Sequence, residues 1–166
     1  MKFLFDLGGV FFDWDPNYFF KDIFEKDDER KYFLTKVCND EWNIQQDAGR
    51  TIKEAESVLI PKFPQYEEEI KMYYSNHRRM IKGTFTSSIK VLDKLKEQNY
   101  ECYVLSNWSA ETFVGMTDDY PFLQLFDGLL ISGEDKLMKP DAAIYELAIS
   151  RFNLIAQETI FIDDKF

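Results

Sequence analysis

The sequence predicts an α/β protein whose parallel sheet is interrupted by an inserted helical segment. Short apolar runs at residues 2–6, 103–105, 129–131 and 159–162 predict buried strands. Helical patterns separate the later runs, which indicates βαβ units and a parallel sheet with helices on both faces. No strand pattern interrupts the stretch from about residue 15 to 84, so we expect an all-helical insert there.

Several helices carry recognisable start signals. Thr51 and Glu54 form a capping-box pattern at the start of one helix of the insert. A second helix of the insert is predicted from apolar and aromatic residues at helical spacing, namely Ile70, Tyr73, Tyr74, His77 and Ile81. After the insert, we expect helices that begin near Ser87-Ser88, Ser109 and Pro140. Residues 9–14 are expected to form a small hairpin or flap.

The composition narrows the classes of function. The net charge is −10, which argues against a nucleic-acid partner because phosphate backbones bind basic surfaces. A small phosphorylated molecule stays compatible with this charge, since a metal ion and local cations can hold it. No apolar run approaches the ~20 residues of a membrane span, and the charged start does not fit a signal peptide. Cys38 and Cys102 are isolated, so we expect reduced, buried thiols in a cytoplasmic protein.

Acidic residues follow the first and the last predicted strand. Asp6 comes directly after Phe3-Leu4-Phe5 and precedes Gly8-Gly9, which allow a sharp turn and the close approach of a ligand. Asp163-Asp164 follow the run at 159–162. Since parallel strands end at one edge of a sheet, these carboxylates are expected to share a site. Clustered carboxylates repel one another, so such a site usually needs a divalent metal.

Four short motifs with candidate site residues follow one another along the chain. They are Asp6-Leu7-Gly8-Gly9-Val10, Ser106-Asn107, Lys139-Pro140 and Asp163-Asp164. With a helical insert behind the first motif, this set resembles the haloacid dehalogenase-like hydrolase superfamily, in the branch that carries a helical cap. The resemblance implies a Rossmann-like core of residues 1–14 and 85–166 and a cap of residues 15–84. It also implies Mg²⁺-dependent hydrolysis of a small phosphorylated metabolite, such as a sugar phosphate.

The resemblance implies a nucleophile and a set of metal ligands. Asp6 would attack phosphorus, form an aspartyl-phosphate and bind Mg²⁺. The backbone carbonyl of Gly8 would be a further ligand, and Asp164 would bind the ion directly. Asp163 would hydrogen-bond metal-bound water or Lys139.

The resemblance also implies the groups that hold the phosphoryl oxygens. Ser106 would offer its hydroxyl, and Asn107 would offer its backbone N–H. Lys139 would add a positive charge that holds Asp6 near the phosphate and stabilises the transition state. Asp6, Ser106 and Lys139 are therefore the predicted catalytic residues.

One position departs from the family pattern. Most phosphatases of this superfamily have a general acid–base Asp two residues after the nucleophile, and this chain has Gly8 there. General acid–base help is typically worth about 10²–10⁴-fold in rate. A substrate with an easily expelled leaving group would need less help, and Asp13, Asp15 or a cap residue could supply the proton. Two alternatives stay open, a metal-independent 2-haloacid dehalogenase and a degenerate binding or regulatory protein without turnover.

A break between two helical segments of the cap is a candidate region for substrate recognition. Gly49 permits a turn that could point Arg50 or Trp42 at the site, so Gly49 and Arg50 are candidate substrate-binding residues. In the alternative, Gly49 only ends a helix, and Asp47 and Arg50 are solvated.

The chain has two residues after Asp164, whereas a last strand with site residues is normally followed by a covering helix. We therefore expect a truncated sequence or a missing tail.

Overall fold

The computed structural model describes residues 1–165, and Phe166, the last residue of the predicted core, lies outside the described part. The strands are β1 (Lys2–Phe5), β2 (Phe12–Trp14), β3 (Ile81–Thr84), β4 (Glu101–Ser106), β5 (Gly128–Ile131) and β6 (Thr159–Ile162). Four of them form a parallel sheet in the order β5-β4-β1-β6, in which Phe5 pairs with Val104 and with Ile162. The predicted α/β class with a parallel core is therefore confirmed.

The helices alternate with the strands in the core and follow one another in the insert. They are α1 (Asn17–Phe20), α2 (Asp27–Tyr32), α3 (Asp40–Asp47), α4 (Ile52–Leu59), α5 (Glu67–Ser75), α6 (Thr86–Glu97), α7 (Ala110–Phe113), α8 (Met116–Asp119), α9 (Ser132–Asp135) and α10 (Ala142–Arg151). A π-helical turn at Phe33–Val37 extends α2, and 3₁₀ turns lie at Ile60–Lys62, Pro64–Tyr66, His77–Met80, Pro121–Leu125 and Ala156–Glu158.

The sheet is covered on both faces, as the βαβ pattern predicts. Phe5 and Val104 pack in one apolar cluster with Leu92 of α6. Leu4 points to the opposite face, because successive side chains of a strand alternate, and it packs in a second cluster with Ile144 of α10. A strand buried on both faces has no polar face, which explains why the inner strands β1 and β4 contain continuous apolar runs. In the edge strand β6, Ile160 and Phe161 are exposed.

The insert has an apolar cluster of its own, built largely from aromatic rings. Phe20 and Phe33 are fully buried there with ring centroids 4.9 Å apart, and Trp42 and Tyr73 pack edge to face at 5.4 Å. The capping box at the start of α4 is confirmed, since the Thr51 hydroxyl accepts from the backbone N–H of Glu54. Within residues 1–165, no helix is both long and apolar enough to cross a membrane.

The end of the insert differs from the helical prediction. Helix α5 stops at Ser75, so His77 lies in a 3₁₀ turn and Ile81 lies in β3. Strand β3 pairs antiparallel with β2, where Thr84 is the partner of Phe12. The flap predicted at residues 9–14 is thus one half of a two-stranded ribbon. In this ribbon, the segment that leads from the sheet into the insert pairs with the segment that leads back to the sheet.

Candidate active site

The carboxyl ends of three strands bring distant residues together. Asp6 directly follows β1, Ser106 is the last residue of β4, and Asp163 directly follows β6. The backbone N–H of Asp6 donates to the carbonyl of Ile162 at 2.9 Å, which continues the pairing of β1 with β6. Parallel strands carry their carboxyl ends to the same edge of the sheet. The beginning, middle and end of the chain therefore meet at one place.

Asp6 is buried, and both of its carboxylate oxygens are engaged. One oxygen accepts from the Leu7 backbone N–H at 2.7 Å and from the Ser106 hydroxyl at 2.5 Å. The other oxygen lies 3.0 Å from Nζ of Lys139. Burial raises the pKa of Asp6, and the charge of Lys139 and the hydrogen bond from Ser106 oppose that rise. The carboxylate is held in one orientation beside a cation, which suits a nucleophile.

The side chain of Asn107 fixes the position of the lysine. Its Nδ2 donates to the carbonyl of Lys139 at 2.9 Å, and its Oδ1 accepts from the Lys139 backbone N–H at 2.8 Å. Nζ of Lys139 lies 2.5 Å from Oδ2 of Asp163, so this ammonium bridges Asp163 and Asp6. Burial opposes ionisation of Asp163, but Lys139 and the backbone N–H of Lys165 hold its pKa below the ordinary value.

Asp6, Asp163 and Asp164 form a compact acidic cluster. Each offers a carboxylate oxygen, and these three oxygens lie within 4.8 Å of one another. Gly9 makes room for the cluster, because it has a positive φ of 70° and a Cβ at this position would collide with the Asp164 carboxylate. Three carboxylates at this separation repel one another, while hard divalent cations prefer such oxygens. The donor set fits Mg²⁺.

The acidic cluster opens into a cavity of about 650 Å³ between the sheet edge and the helical insert. Gly8, Asn107 and Lys139 line its floor together with the acidic residues. Much of the remaining wall is apolar or aromatic, with Phe12, Trp14, Ile44, Phe85, Trp108 and Tyr145. A volume of this size suits a small organic molecule.

The structure does not bring Gly49 and Arg50 to this cavity. The Arg50 guanidinium donates from Nε to Oε1 of Gln46 at 2.6 Å and from Nη2 to the carbonyl of Trp42 at 2.9 Å. Trp42 is buried in the aromatic cluster of the insert, and its Nε1 donates to the carbonyl of Ala55 at 3.2 Å. Since the Arg50 side chain is hydrogen-bonded to the preceding helix α3, its predicted contact with substrate is not supported by the geometry. Gly49 instead packs against the core.

Helix α3 supplies four residues of the insert that line the cavity, and the sequence analysis did not identify them as site residues. They occur at helical spacing on one face of α3, namely Asp40, Asn43, Ile44 and Asp47. This i, i+3, i+4, i+7 pattern was available in the sequence. It was not read as a site because its members are mostly polar, and a polar helix face is usually exposed to solvent. The expectation that Asp47 is solvated is therefore wrong.

His77 lies between the two tryptophans that flank the motifs. Its ring centroid is 6.0 Å from that of Trp14 and 5.6 Å from that of Trp108. Burial lowers the pKa of His77 to about 4, with a smaller contribution from the charge of Arg78. The imidazole is therefore neutral near neutral pH and forms part of an uncharged aromatic wall.

Comparison with known proteins agrees with this geometry. Residues 4–166 match the family model of the haloacid dehalogenase-like hydrolases. The sesquiterpene phosphatase astK of Aspergillus oryzae (strain ATCC 42149 / RIB 40) is 27% identical over 162 residues, which cover 98% of this chain and 79% of that protein. The drimenol cyclase drtB of Aspergillus calidoustus is 23% identical over 164 residues, which cover 96% of this chain and 29% of that protein.

Solved structures share the fold at lower identity. The HAD family enzyme bt-2542 of Bacteroides thetaiotaomicron, in complex with magnesium and inorganic phosphate, superposes with a TM-score of 0.71 at 24% identity. That likeness covers 99% of this chain and 84% of the other. A dehalogenase superposes with a TM-score of 0.68 at 18% identity, over 99% of this chain and 76% of the other. The fold is thus common to phosphate-binding and dehalogenating proteins, so the site itself must indicate the chemistry.

Proposed function

Because the chain belongs to the haloacid dehalogenase-like hydrolase family, we propose that it is a Mg²⁺-dependent phosphatase that hydrolyses a small phosphate monoester. One observation carries the proposal. The carboxylates of Asp6, Asp163 and Asp164 lie within 4.8 Å of one another beside Lys139, on the floor of a cavity. A cation and a phosphoryl group together balance the charges of such a site.

The proposed reaction begins at Asp6. Its carboxylate attacks phosphorus and forms an aspartyl-phosphate, which water then hydrolyses. Mg²⁺ would be held by Asp6, Asp164 and the carbonyl of Gly8 directly and by Asp163 through metal-bound water, and it would neutralise charge between carboxylate and phosphate. Lys139 adds a second positive charge next to the nucleophile, at 3.0 Å from Asp6.

Ser106 and Asn107 have positioning roles in this proposal. The Ser106 hydroxyl, which donates to Asp6 at 2.5 Å, orients the nucleophile and can turn to a phosphoryl oxygen when substrate binds. The Asn107 side chain holds the main chain of Lys139, which leaves the Asn107 backbone N–H as a donor for phosphate. Those contacts support the proposed catalytic role of Ser106 and the proposed substrate-binding roles of both residues.

Two relatives support phosphate chemistry over dehalogenation. The curated protein with 27% identity is a sesquiterpene phosphatase, and the bt-2542 structure contains magnesium and inorganic phosphate. A metal-independent dehalogenase has little use for an acidic cluster beside its nucleophile, because a halide leaves without metal or proton. We therefore rank the dehalogenase and a protein without turnover below the phosphatase.

The substrate class depends on the cap, which we propose to be residues 15–84 over a core of residues 1–14 and 85–166. A sugar phosphate is the first candidate and would use the polar side chains of α3, such as Asn43. A phosphate of an apolar alcohol, such as a terpenyl phosphate, is a second candidate, favoured by the wall that Trp14, Ile44, Phe85 and Trp108 form.

A substrate panel tests the proposal. A sugar phosphate, a terpenyl phosphate and a 2-haloacid are each assayed with Mg²⁺ and with EDTA, in wild type and in Asp6→Asn. We expect phosphate release in wild type with Mg²⁺, none with EDTA, and loss of at least ~10³-fold in Asp6→Asn with the fold intact by circular dichroism. Halide release that EDTA does not change would instead identify a dehalogenase.

A further inference from the structure

The proposed phosphatase reaction needs a proton that the nucleophile loop does not supply. The departing alkoxide of an unactivated ester must be protonated, and the attacking water must later lose a proton. Gly8, two residues after Asp6, has no side chain to do either. The loop itself does not require glycine at position 8, because a Cβ there would meet no atom within 4 Å and the residue does not have a positive φ. For such an ester, another group in the cavity must supply this proton transfer.

Asp47 is a carboxyl group that the proposed site has not used. It lines the same cavity as Asp6 and Lys139, but from the insert rather than from the sheet. It is not a member of the acidic cluster of Asp6, Asp163 and Asp164. Asp47 is therefore a cavity residue outside the set of candidate metal ligands.

The backbone at Asp47 is fixed to the core. Its carbonyl accepts a hydrogen bond at 2.6 Å from the hydroxyl of Ser132, which is fully buried and accepts in turn from the Trp108 backbone N–H at 2.9 Å. Gly49 follows with a φ of 96°, where a Cβ would stand 2.6 Å from Cγ of Lys136. Helix α3 thus ends in close contact with α9, and Asp47 is held over the floor of the cavity.

The surroundings of Asp47 favour its protonated form. Burial raises its pKa to about 7, and the nearby Asp6 carboxylate adds to the rise, while Lys165 and the Ser109 backbone N–H oppose it. The neighbouring Tyr74 of α5 is itself shifted to a higher pKa by burial, so it stays neutral. A carboxyl group that exchanges its proton near neutral pH is suited to both halves of a hydrolysis.

The other carboxyl groups suggested by the sequence are less suitable. Asp15 does not line the cavity, and one of its oxygens accepts from the backbone and the side chain of Asn17 at 2.8 and 2.9 Å. Asp13 lines the cavity, but its Oδ1 accepts from the Tyr18 hydroxyl at 2.7 Å. Asp40 is exposed to solvent at the other end of α3.

We propose that Asp47 is the general acid and base of the reaction, in the place of the side chain that Gly8 lacks; this inference rests on the proposed phosphatase function. As Asp6 attacks and the phosphorus–oxygen bond to the alcohol breaks, protonated Asp47 gives its proton to the departing oxygen. Its carboxylate then accepts a proton from the water that attacks the aspartyl-phosphate. That step releases phosphate, restores the Asp6 carboxylate and returns Asp47 to its protonated form.

The dependence of rate on the leaving group tests this role. Wild type and Asp47→Asn are compared with Mg²⁺ on an alkyl phosphate, whose alkoxide needs a proton, and on p-nitrophenyl phosphate, whose phenolate leaves unprotonated. We expect Asp47→Asn to lose about 10²–10⁴-fold in kcat/KM on the alkyl ester and less than about tenfold on the aryl ester. The ratio kcat/KM is compared because it covers the steps through departure of the alcohol and leaves out the later hydrolysis of the aspartyl-phosphate, which both esters share. Glu41→Gln, the same kind of change on the exposed face of α3, should leave both rates unchanged.

Equal losses of kcat/KM on the two esters would overturn the assignment, since they would mean that Asp47 binds substrate or supports the fold. A wild type that hydrolyses neither ester would refute the proposed phosphatase function and this inference with it.

A second variant tests whether the missing proton donor causes the defect. Gly8→Asp, added to Asp47→Asn, should recover at least ~tenfold on the alkyl ester, because the loop has space for the new carboxyl. No recovery would count against a missing proton donor as the cause of the defect.

Discussion

Gly9 is the residue whose lack of a side chain allows the Asp164 carboxylate to approach the nucleophile loop. Its φ is 70°, and a Cβ there would collide with that carboxylate. We expect Gly9→Ala to lower the free energy of unfolding by roughly 1–3 kcal/mol and to weaken Mg²⁺ binding, because the backbone is strained and Asp164 is displaced. Urea unfolding and a calorimetric Mg²⁺ titration measure the two effects.

The adjacent glycine provides the matched control. Gly8→Ala adds the same methyl group to the same loop, where a Cβ meets no atom within 4 Å and φ is not positive. Its free energy of unfolding should stay unchanged or rise by about 0.4–1 kcal/mol. Similar destabilisation by both alanines would show that the loop does not have the backbone described here.

Most of the site could be predicted at the level of single residues, because position along a strand is a local property. Asp6, Ser106 and Asp163 follow or end apolar runs, and such runs are visible without tertiary information. The hydrogen bonds that Asn107 makes with Lys139 could not be predicted. They depend on how the loop before α10 lies against the end of β4, and no sequence spacing records that distance.

Helix α3 shows what a sequence pattern cannot settle at the level of an element. Its polar face is compatible with exposure, but the carboxyl end of α3 contacts the core, where the Asp47 carbonyl accepts from Ser132 of α9, and Asp47 lines the cavity. Arg50 was predicted to contact substrate because it is charged and lies in a break between helices. The guanidinium instead donates hydrogen bonds to the Gln46 side chain and the Trp42 carbonyl. Basic side chains near the carboxyl end of a helix often bind its backbone carbonyls in this way.

The burial of Asp47 at the end of α3 makes the stability of the protein depend on pH. Burial raises the pKa of Asp47 from 3.8 to about 7, so between these values the folded protein binds more protons at this group than the unfolded chain does. The free energy of unfolding therefore loses a contribution from this group as pH rises through that window. Asn cannot ionise, so Asp47→Asn should gain stability relative to wild type as pH rises.

Urea unfolding in Mg²⁺-free buffer at about pH 5 and about pH 8 measures the effect. The difference in unfolding free energy between Asp47→Asn and wild type should shift in favour of the variant at the higher pH. A difference that is the same at both values would show that the carboxyl is solvated. Glu41→Gln, on the exposed face of the same helix, should show no such shift.

At the scale of the whole molecule, sheet and insert are joined by a ribbon that the sequence analysis only half predicted. Strands β2 and β3 are short, and each finds its partner far away in the chain, where Phe12 pairs with Thr84. The backbone N–H of Phe85 extends the contact by donating to the carbonyl of Phe11 at 2.9 Å. Local patterns predict elements well, but pairing between remote short strands depends on the fold that contains them.

The cavity is acidic like the molecule as a whole, but two of its lining residues are lysines. The chain has a net charge of −10, yet Lys139 and Lys165 both line the cavity beside the acidic cluster. A divalent ion added to this cluster would make the floor attractive to a phosphoryl group despite the acidic surface. The acidic composition and a phosphorylated substrate are therefore compatible.

Anomalous diffraction from a crystal grown with MnCl₂ tests the central claim most directly, namely that Asp6, Asp163 and Asp164 share one metal-dependent phosphoryl site. The proposed function predicts a single strong manganese peak at this cluster, with Asp6 and Asp164 as direct ligands. No manganese peak among these carboxylates, in a protein that still hydrolyses phosphate esters, would contradict the claim.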